Sequence, residues 1–111
     1  MKYIKIPEPI TLTHKNLAPQ QPTSFYKWLE ENMLGGAPFQ KGYEGLKSAF
    51  DLMQSMKNAE VGTWVPVEKT TWDRLIEALN TVEWTHPVIA LQYLPFMDAI
   101  KEAKNHNMES A

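Results

Sequence analysis

Apolar residues recur at helical spacing in four parts of the chain, and this pattern predicts four helices. The predicted helices cover residues 24–34, 40–58, 71–80 and 87–104. The third has the clearest pattern, because its apolar residues stand at i, i+3, i+4 and i+7 and therefore share one helix face. Those residues are Trp72, Leu75, Ile76 and Leu79.

The second predicted helix has a broad apolar face. Its main stripe consists of Tyr43, Leu46, Phe50 and Met53, of which the last three are predicted core residues, and the stripe is widened by Ala49, Leu52 and Met56. A face this wide predicts contact with more than one neighbouring element. Gly42 and Gly45 are expected to weaken the start of the helix, because glycine is a poor helix former.

Residue types at the predicted helix ends agree with these boundaries. Ser24 offers a hydroxyl N-cap to the first helix, and Gly35 with Gly36 tolerates the left-handed conformation in which many helices end. Residues 70–73 resemble a capping box with Asp in place of Glu, which predicts the start of the third helix. For the fourth helix, residues 85–86 are expected to cap the first turn, which Pro87 fits because its missing N–H is not needed there.

Apolar and polar residues alternate in three short segments, the pattern of half-buried strands. The segments are 3–6, 10–13 and 63–67. Prolines lie in or beside them, and proline cannot donate a hydrogen bond to a strand ladder. We therefore expect a short β element at the edge of the fold.

The fourth predicted helix is apolar on nearly all sides. Within residues 88–100, only Gln92, Pro95 and Asp98 fall outside the apolar set. A helix of this kind usually lies at the centre of its domain. Pro95 removes one backbone hydrogen bond and predicts a bend near 91–95.

A second interpretation leaves part of this helix exposed as a surface for a protein partner. Tyr93, Phe96 and Met97 are its candidate contact residues, since aromatic side chains and Met are enriched in interface cores. Trp64 and Trp84, in or beside predicted loops, are further candidate anchors, because Trp is common among residues that dominate binding energy. The two interpretations differ at Leu94: on a core face, Leu94→Asp unfolds the chain, whereas on a partner surface it only abolishes association.

The predicted fold is a small, mostly helical α+β domain over residues 1–104, with a flexible C-terminal tail at 105–111. Helix 87–104 is central, and the other three helices pack on it. The predicted core consists of Ile4, Ile6, Trp28, Leu29, Leu46, Phe50, Met53, Val65, Trp72, Leu75, Ile76, Leu79, Ile89, Leu91, Leu94 and Ile100.

Composition narrows the function classes. The formal net charge is −2, whereas nucleic-acid-binding domains usually carry a basic face. The absence of cysteine excludes thiolate zinc sites and cysteine nucleophiles and is compatible with the cytoplasm. The apolar run at 88–100 is shorter than the roughly 20 residues of a membrane helix, and the first ten residues lack the pattern of a signal peptide. We therefore expect a cytoplasmic protein without a nucleic-acid or membrane partner.

No catalytic or metal-binding pattern is present. His14, His86 and His106 are far apart in sequence, so no pair has the spacing of metal ligands. Asp98 is the carboxylate in the most apolar surroundings. An enzyme would need His86, Asp98 or a glutamate to converge in one pocket, and we predict no catalytic residue, metal, cofactor or small-molecule substrate.

The stretches G-T-W-V-P-V-E-K-T-T-W-D-R-L-I-E-A-L (62–79) and H-P-V-I-A-L-Q-Y-L-P-F (86–96) resemble small proteins encoded among the structural genes of tailed phages and prophages. A looser echo is I-K-I-P-E-P-I (4–10). The resemblance covers mainly the C-terminal half and includes no catalytic residue. It implies a virion-assembly or accessory role, exerted through protein contacts in the host cytoplasm.

Three functions therefore remain as hypotheses. The first is a non-enzymatic interaction protein that binds a protein partner or itself. The second is a small acidic inhibitor or regulator of a host enzyme. The third is an enzyme with an unrecognised carboxylate and histidine site.

Overall fold

Two short strands pair antiparallel in the computed structural model, which describes residues 1–13 and 20–106. Strand β1 is Lys2–Lys5 and strand β2 is Trp64–Val67. Pro66 lies opposite Tyr3, whose N–H and carbonyl bond instead to the carbonyl and N–H of Lys104, at 2.7 and 2.9 Å. Proline is therefore tolerated in β2, because its position needs no ladder hydrogen bond.

These two strands confirm the predicted β segments at 3–6 and 63–67, but the segment 10–13 does not form a strand. Ile10 makes an isolated antiparallel bridge with Thr23. Thr13 is held by a side chain instead: its N–H donates to Gln92 Oε1, and Gln92 Nε2 donates to its carbonyl, both at 2.8 Å.

The first predicted helix is present, but its type changes along its length. Helix α1, Phe25–Trp28, continues as a π-helical turn, Leu29–Met33. Ser24 is its N-cap as predicted, and Ser24 Oγ accepts a hydrogen bond from the backbone N–H of Lys27 at 3.1 Å. The left-handed end predicted at Gly35 and Gly36 is not found, since the glycines with positive φ in the described ranges are Gly42 and Gly62.

The second predicted helix is divided at its start. Helix α2 is Ala37–Gln40 and helix α3 is Gly42–Met56. Gly42 begins α3 with a φ of 66°, a conformation that glycine adopts without steric cost and that interrupts a continuous helix.

The third predicted helix is present as α4, Lys69–Thr81. It begins earlier than predicted, and the capping box at 70–73 does not form: the N-cap is Glu68, without a side-chain hydrogen bond. An ion pair between Lys69 and Asp73 at 3.1 Å lies in its first turns. The indole N–H of Trp72 donates to the carbonyl of Ile100 at 2.8 Å and so connects α4 to the C-terminal part of the chain.

A single central helix over 87–104 is not confirmed. The segment consists of α5, Pro87–Ala90, a 3₁₀ turn, Leu91–Tyr93, and α6, Leu94–Lys101. Pro95 lies in the first turn of α6, where a missing N–H is harmless, so it marks the start of a new helix instead of a bend. Residues 85–86 do not cap α5 with a side chain: its N-cap, His86, makes no side-chain capping bond. The four-helix count is likewise not confirmed.

The hydrophobic core lies between the sheet and helices α1, α3, α4 and α6. Predicted core residues that are buried are Ile4, Ile6, Trp28, Leu29, Val65, Leu75 and Ile100. Those that are half-buried are Met53, Trp72, Ile76, Leu79 and Ile89. The core prediction is wrong for Leu46, Phe50, Leu91 and Leu94, which are exposed. Core residues that the pattern did not identify are Phe25, Met33, Phe39, Leu52, Met56, Val67, Ala78 and Phe96.

Helix α3 packs through one edge of its broad apolar face, which includes Leu52 and Met56, and not through the main stripe. Its buried residues are Gly45, Ser48, Leu52 and Met56. A glycine at one of these positions lets the helix approach α2 closely: a Cβ atom on Gly45 would lie 2.9 Å from the carbonyl oxygen of Pro38. The glycine that was expected only to weaken the helix thus permits its packing.

Gly45→Ala is expected to lower the free energy of unfolding by about 1–3 kcal/mol, because the added methyl group forces backbone atoms apart and outweighs the better helix propensity of alanine. Chemical denaturation measures this change. Gly35→Ala is the matched control, since nothing lies within 4 Å of the added Cβ atom. Equal stabilities of the two variants would contradict the close approach of α2 and α3.

Candidate interaction surfaces

One row of large apolar side chains lies on the outer face of α3. We call it the α3 stripe and define it as Tyr43, Leu46 and Phe50, whose exposed fractions are 73%, 67% and 61%. The spacing i, i+3 and i+7 puts the three side chains on one helix face. That face is well separated from the buried face, so nothing in the described part of the chain covers it.

The α3 stripe is a sizeable apolar patch. Three large side chains of this exposure present on the order of 400 Å² to solvent, since a large aromatic side chain has roughly 200 Å² of surface. On monomeric proteins, patches of this size are often functional. The α3 stripe is therefore a candidate contact surface.

A second row lies on the segment that joins α5 to α6. We call it the ridge and define it as Val88, Leu91 and Leu94, with exposed fractions of 67%, 59% and 44%. The residues are three apart, and a 3₁₀ turn has three residues per turn, so their side chains line up. The backbone below them is fixed, since the N–H groups of Ile89 and Ala90 both donate to the carbonyl of His86.

The predicted contact residues of this segment lie mostly on its inner side. Phe96 has an exposed fraction of 0%, so it is not on the surface of the folded chain. Its ring centroid lies 5.6 Å from that of Trp28 and 5.7 Å from that of Tyr93. Tyr93 and Met97 are half-buried against the core. The exposed residues of this segment are Val88, Leu91 and Leu94. Two of them, Leu91 and Leu94, are predicted core residues.

The two predicted tryptophan anchors are both half-buried. Trp84 packs against the core. Trp64, on β2, lines an open groove of about 440 Å³ between the sheet and α6. Apolar groove residues include Ile6, Val61 and Pro95, and charged groove residues are Lys5, Glu8, Glu102 and Lys104.

Of the residue types that the enzyme hypothesis names, two glutamates, Glu8 and Glu102, line this groove. His86 and Asp98 are exposed and do not line it. His14 lies outside the described residues, and His106 is exposed near the C-terminus. Within residues 1–13 and 20–106, no group of three His, Asp or Glu side chains is arranged to hold a metal ion. In the same ranges, no helix combines the length and apolar character needed to cross a membrane.

The sequence pattern does not identify the α3 stripe as a surface, because it assigns Leu46 and Phe50 to the core. The signal that identifies the buried face is Gly45 followed three residues later by Ser48: two small residues on one face allow close helix packing. With that face inward, the larger residues of the stripe turn outward.

Comparison with known proteins does not assign a family. No protein-family model matches the sequence, and neither a curated protein nor a solved structure matches it significantly.

Proposed function

We propose that this chain is a non-enzymatic protein-interaction module that binds its partners through the α3 stripe and the ridge. One observation supports the proposal: six large apolar side chains, each at least 44% exposed, stand in two rows at helical spacing. Each square ångström of apolar surface removed from water contributes roughly 25 cal/mol. Covering either row therefore stabilises a complex.

The form of the rows indicates the kind of contact. Side chains at i, i+3 and i+7, as in the α3 stripe, are the anchors that helices use in apolar grooves and against other helices. Both rows are carried by backbone with internal hydrogen bonds, so little conformational entropy is lost on binding.

Two separate rows favour an assembly role over an inhibitory one. An inhibitor needs one surface for its target enzyme, whereas an assembly protein contacts at least two neighbours. The phage virion-assembly role and the host cytoplasm are parts of the proposal that rest on the sequence resemblance alone. A small acidic inhibitor remains the second candidate, for which the charged groove beside Trp64 is the alternative surface.

Photo-crosslinking in cells that naturally produce the chain tests the proposal. A benzophenone amino acid is placed at Leu91 in one variant and at Leu46 in another. We expect discrete crosslinked products of defined mass from both positions, because both side chains are exposed within an apolar row.

The control position is Glu77, which is exposed on the polar side of α4 and should give no product. Products from Leu91 or Leu46 but not from Glu77 support an interaction module. If neither row gives a product while a position beside the groove, such as Val61, does, the inhibitor hypothesis replaces the proposal. If Leu91, Leu46 and Val61 all give no crosslinked product, the interaction-module proposal and the inhibitor hypothesis are both contradicted.

A further inference from the structure

We infer that the α3 stripe binds a second copy of this chain, in an antiparallel helix pair related by a two-fold axis. This inference rests on the proposed function and names the partner of one of its two surfaces. It is carried by the sequence of the exposed face of α3, by the charges beside that face and by its area.

The exposed face of α3 has the spacing of a helix-pairing seam. Tyr43 and Phe50 are seven residues apart, and so are Leu46 and Met53. Apolar residues alternating at steps of three and four over two heptads correspond to a and d positions. Three of these residues form the α3 stripe, and Met53 is half-buried at its end. A seam of this kind fits another helix better than a flat surface.

The seam is complementary to itself when two copies run antiparallel. With the two-fold axis near Ser48, Tyr43 of one copy meets Met53 of the other, and Leu46 meets Phe50. Each layer then pairs one aromatic side chain with either Met or Leu. The layers are therefore similar in volume, as a well-packed helix interface requires. A closed two-fold contact of this kind uses the same patch on both copies.

The residues on either side of the α3 stripe are also compatible with an antiparallel helix pair. On one side, Ala49 is small and allows the second helix to approach. On the other side stand Lys47 and Asp51, both exposed. In the antiparallel pair, Lys47 of one copy and Asp51 of the other differ in height by about 3 Å, given a helix rise of 1.5 Å per residue. The helical repeat places Lys47 beside the seam and Asp51 farther round the helix, so the long Lys47 side chain of each copy reaches towards Asp51 of the other.

The area predicts a weak dimer. A standard interface covers about 800 Å² on each partner, and the α3 stripe supplies on the order of half of that. We expect a reversible dimer with a dissociation constant on the order of micromolar. Light scattering or sedimentation equilibrium, over roughly 1 µM to 1 mM, should show the mass rising from 12.8 kDa towards twice that value.

Leu46→Glu tests the surface, because it places a charge at the centre of the seam on both copies. The dissociation constant of the variant is expected to rise at least 100-fold, so that the variant is largely monomeric at roughly 10 µM, where the unchanged chain is largely dimeric. Its circular dichroism spectrum should be unchanged. Thr70→Glu is the control: it adds the same charge at an exposed position in the first turn of α4, outside both rows, and should dimerise like the unchanged chain. A wild-type chain that stays monomeric to the highest concentration, or a Leu46→Glu variant that dimerises as tightly as the unchanged chain, overturns the inference.

A charge exchange tests the antiparallel geometry. Lys47→Glu and Asp51→Lys should each weaken self-association roughly tenfold, since each reverses one charge in both symmetry-related pairs. Mixing the two variants restores opposite charges across the axis, so the mixture should associate as tightly as the unchanged chain. A mixture no tighter than its components overturns the proposed pairing.

These results are separable from those for the proposed function. A monomeric chain that still gives a crosslinked product at Leu91 refutes self-association and leaves the interaction module intact. A crosslinked product at Leu46 with twice the mass of the chain supports both the interaction module and self-association. A product of any other mass at Leu46 assigns the α3 stripe to a different protein and overturns the inference.

Discussion

Phe96→Ala is expected to lower the free energy of unfolding by about 3–5 kcal/mol, the usual cost of removing a buried aromatic side chain. The Phe96 ring is fully buried. It packs edge-on against Phe25, with centroids 5.5 Å apart, and against Trp28 at 5.6 Å. These contacts connect α6 to α1, so the cavity left by alanine weakens the packing between these two helices.

Urea denaturation, followed by tryptophan fluorescence, measures this loss, and Leu94→Asp is its control. Leu94 is 44% exposed and begins α6, where the helix dipole favours a carboxylate. The control should therefore stay folded, within about 1 kcal/mol of the unchanged chain. A central helix predicts the opposite result, in which Leu94→Asp unfolds the chain. Equal losses in the two variants would restore that central helix.

The segment 88–100 shows why the apolar pattern alone could not predict its structure. Periodicity identifies the buried face of a helix only when polar residues mark the other face, and here almost every position is apolar. The bend was sought at Pro95, but proline also fits the first turn of a new helix. Only the packing of Phe96 against Trp28 determines which side of the segment is buried.

Elements with a local signal were predictable. Ser24 caps α1 as its hydroxyl indicates, and the alternation at 63–67 gives β2 in the expected place. The segment 10–13 has the same alternation, yet only Ile10 pairs, because a strand also needs a partner of matching length. That requirement is set by the tertiary fold and cannot be read from the segment itself.

The burial of the candidate contact residues also depends on the tertiary fold and not on a local signal. Aromatic residues are good anchors for partners and equally good core residues, so residue type did not separate Phe96, which is buried, from Phe50, which is exposed. Phe50 is exposed because α3 packs through the face that carries Gly45 and Ser48. Phe96 is buried because α6 packs against Phe25 and Trp28.

Leu52→Ala and Leu46→Ala provide the most direct test of which face of α3 is buried. Leu52 is 1% exposed and Leu46 is 67% exposed, so the same chemical change is made six residues apart on one helix. Leu52→Ala is expected to cost about 2–5 kcal/mol, from lost burial and a residual cavity. Leu46→Ala should change the free energy of unfolding by no more than about 0.5 kcal/mol.

The comparison has to be made at a concentration where the chain is monomeric, since self-association stabilises the folded state by mass action. At higher concentration, the unchanged chain should gain stability and Leu46→Ala should not, because alanine removes the side chain at the centre of the seam. The two measurements thus separate the role of α3 in the fold from its role at the surface. If Leu46→Ala costs as much as Leu52→Ala in dilute solution, the stripe is part of the core and is not available to any partner.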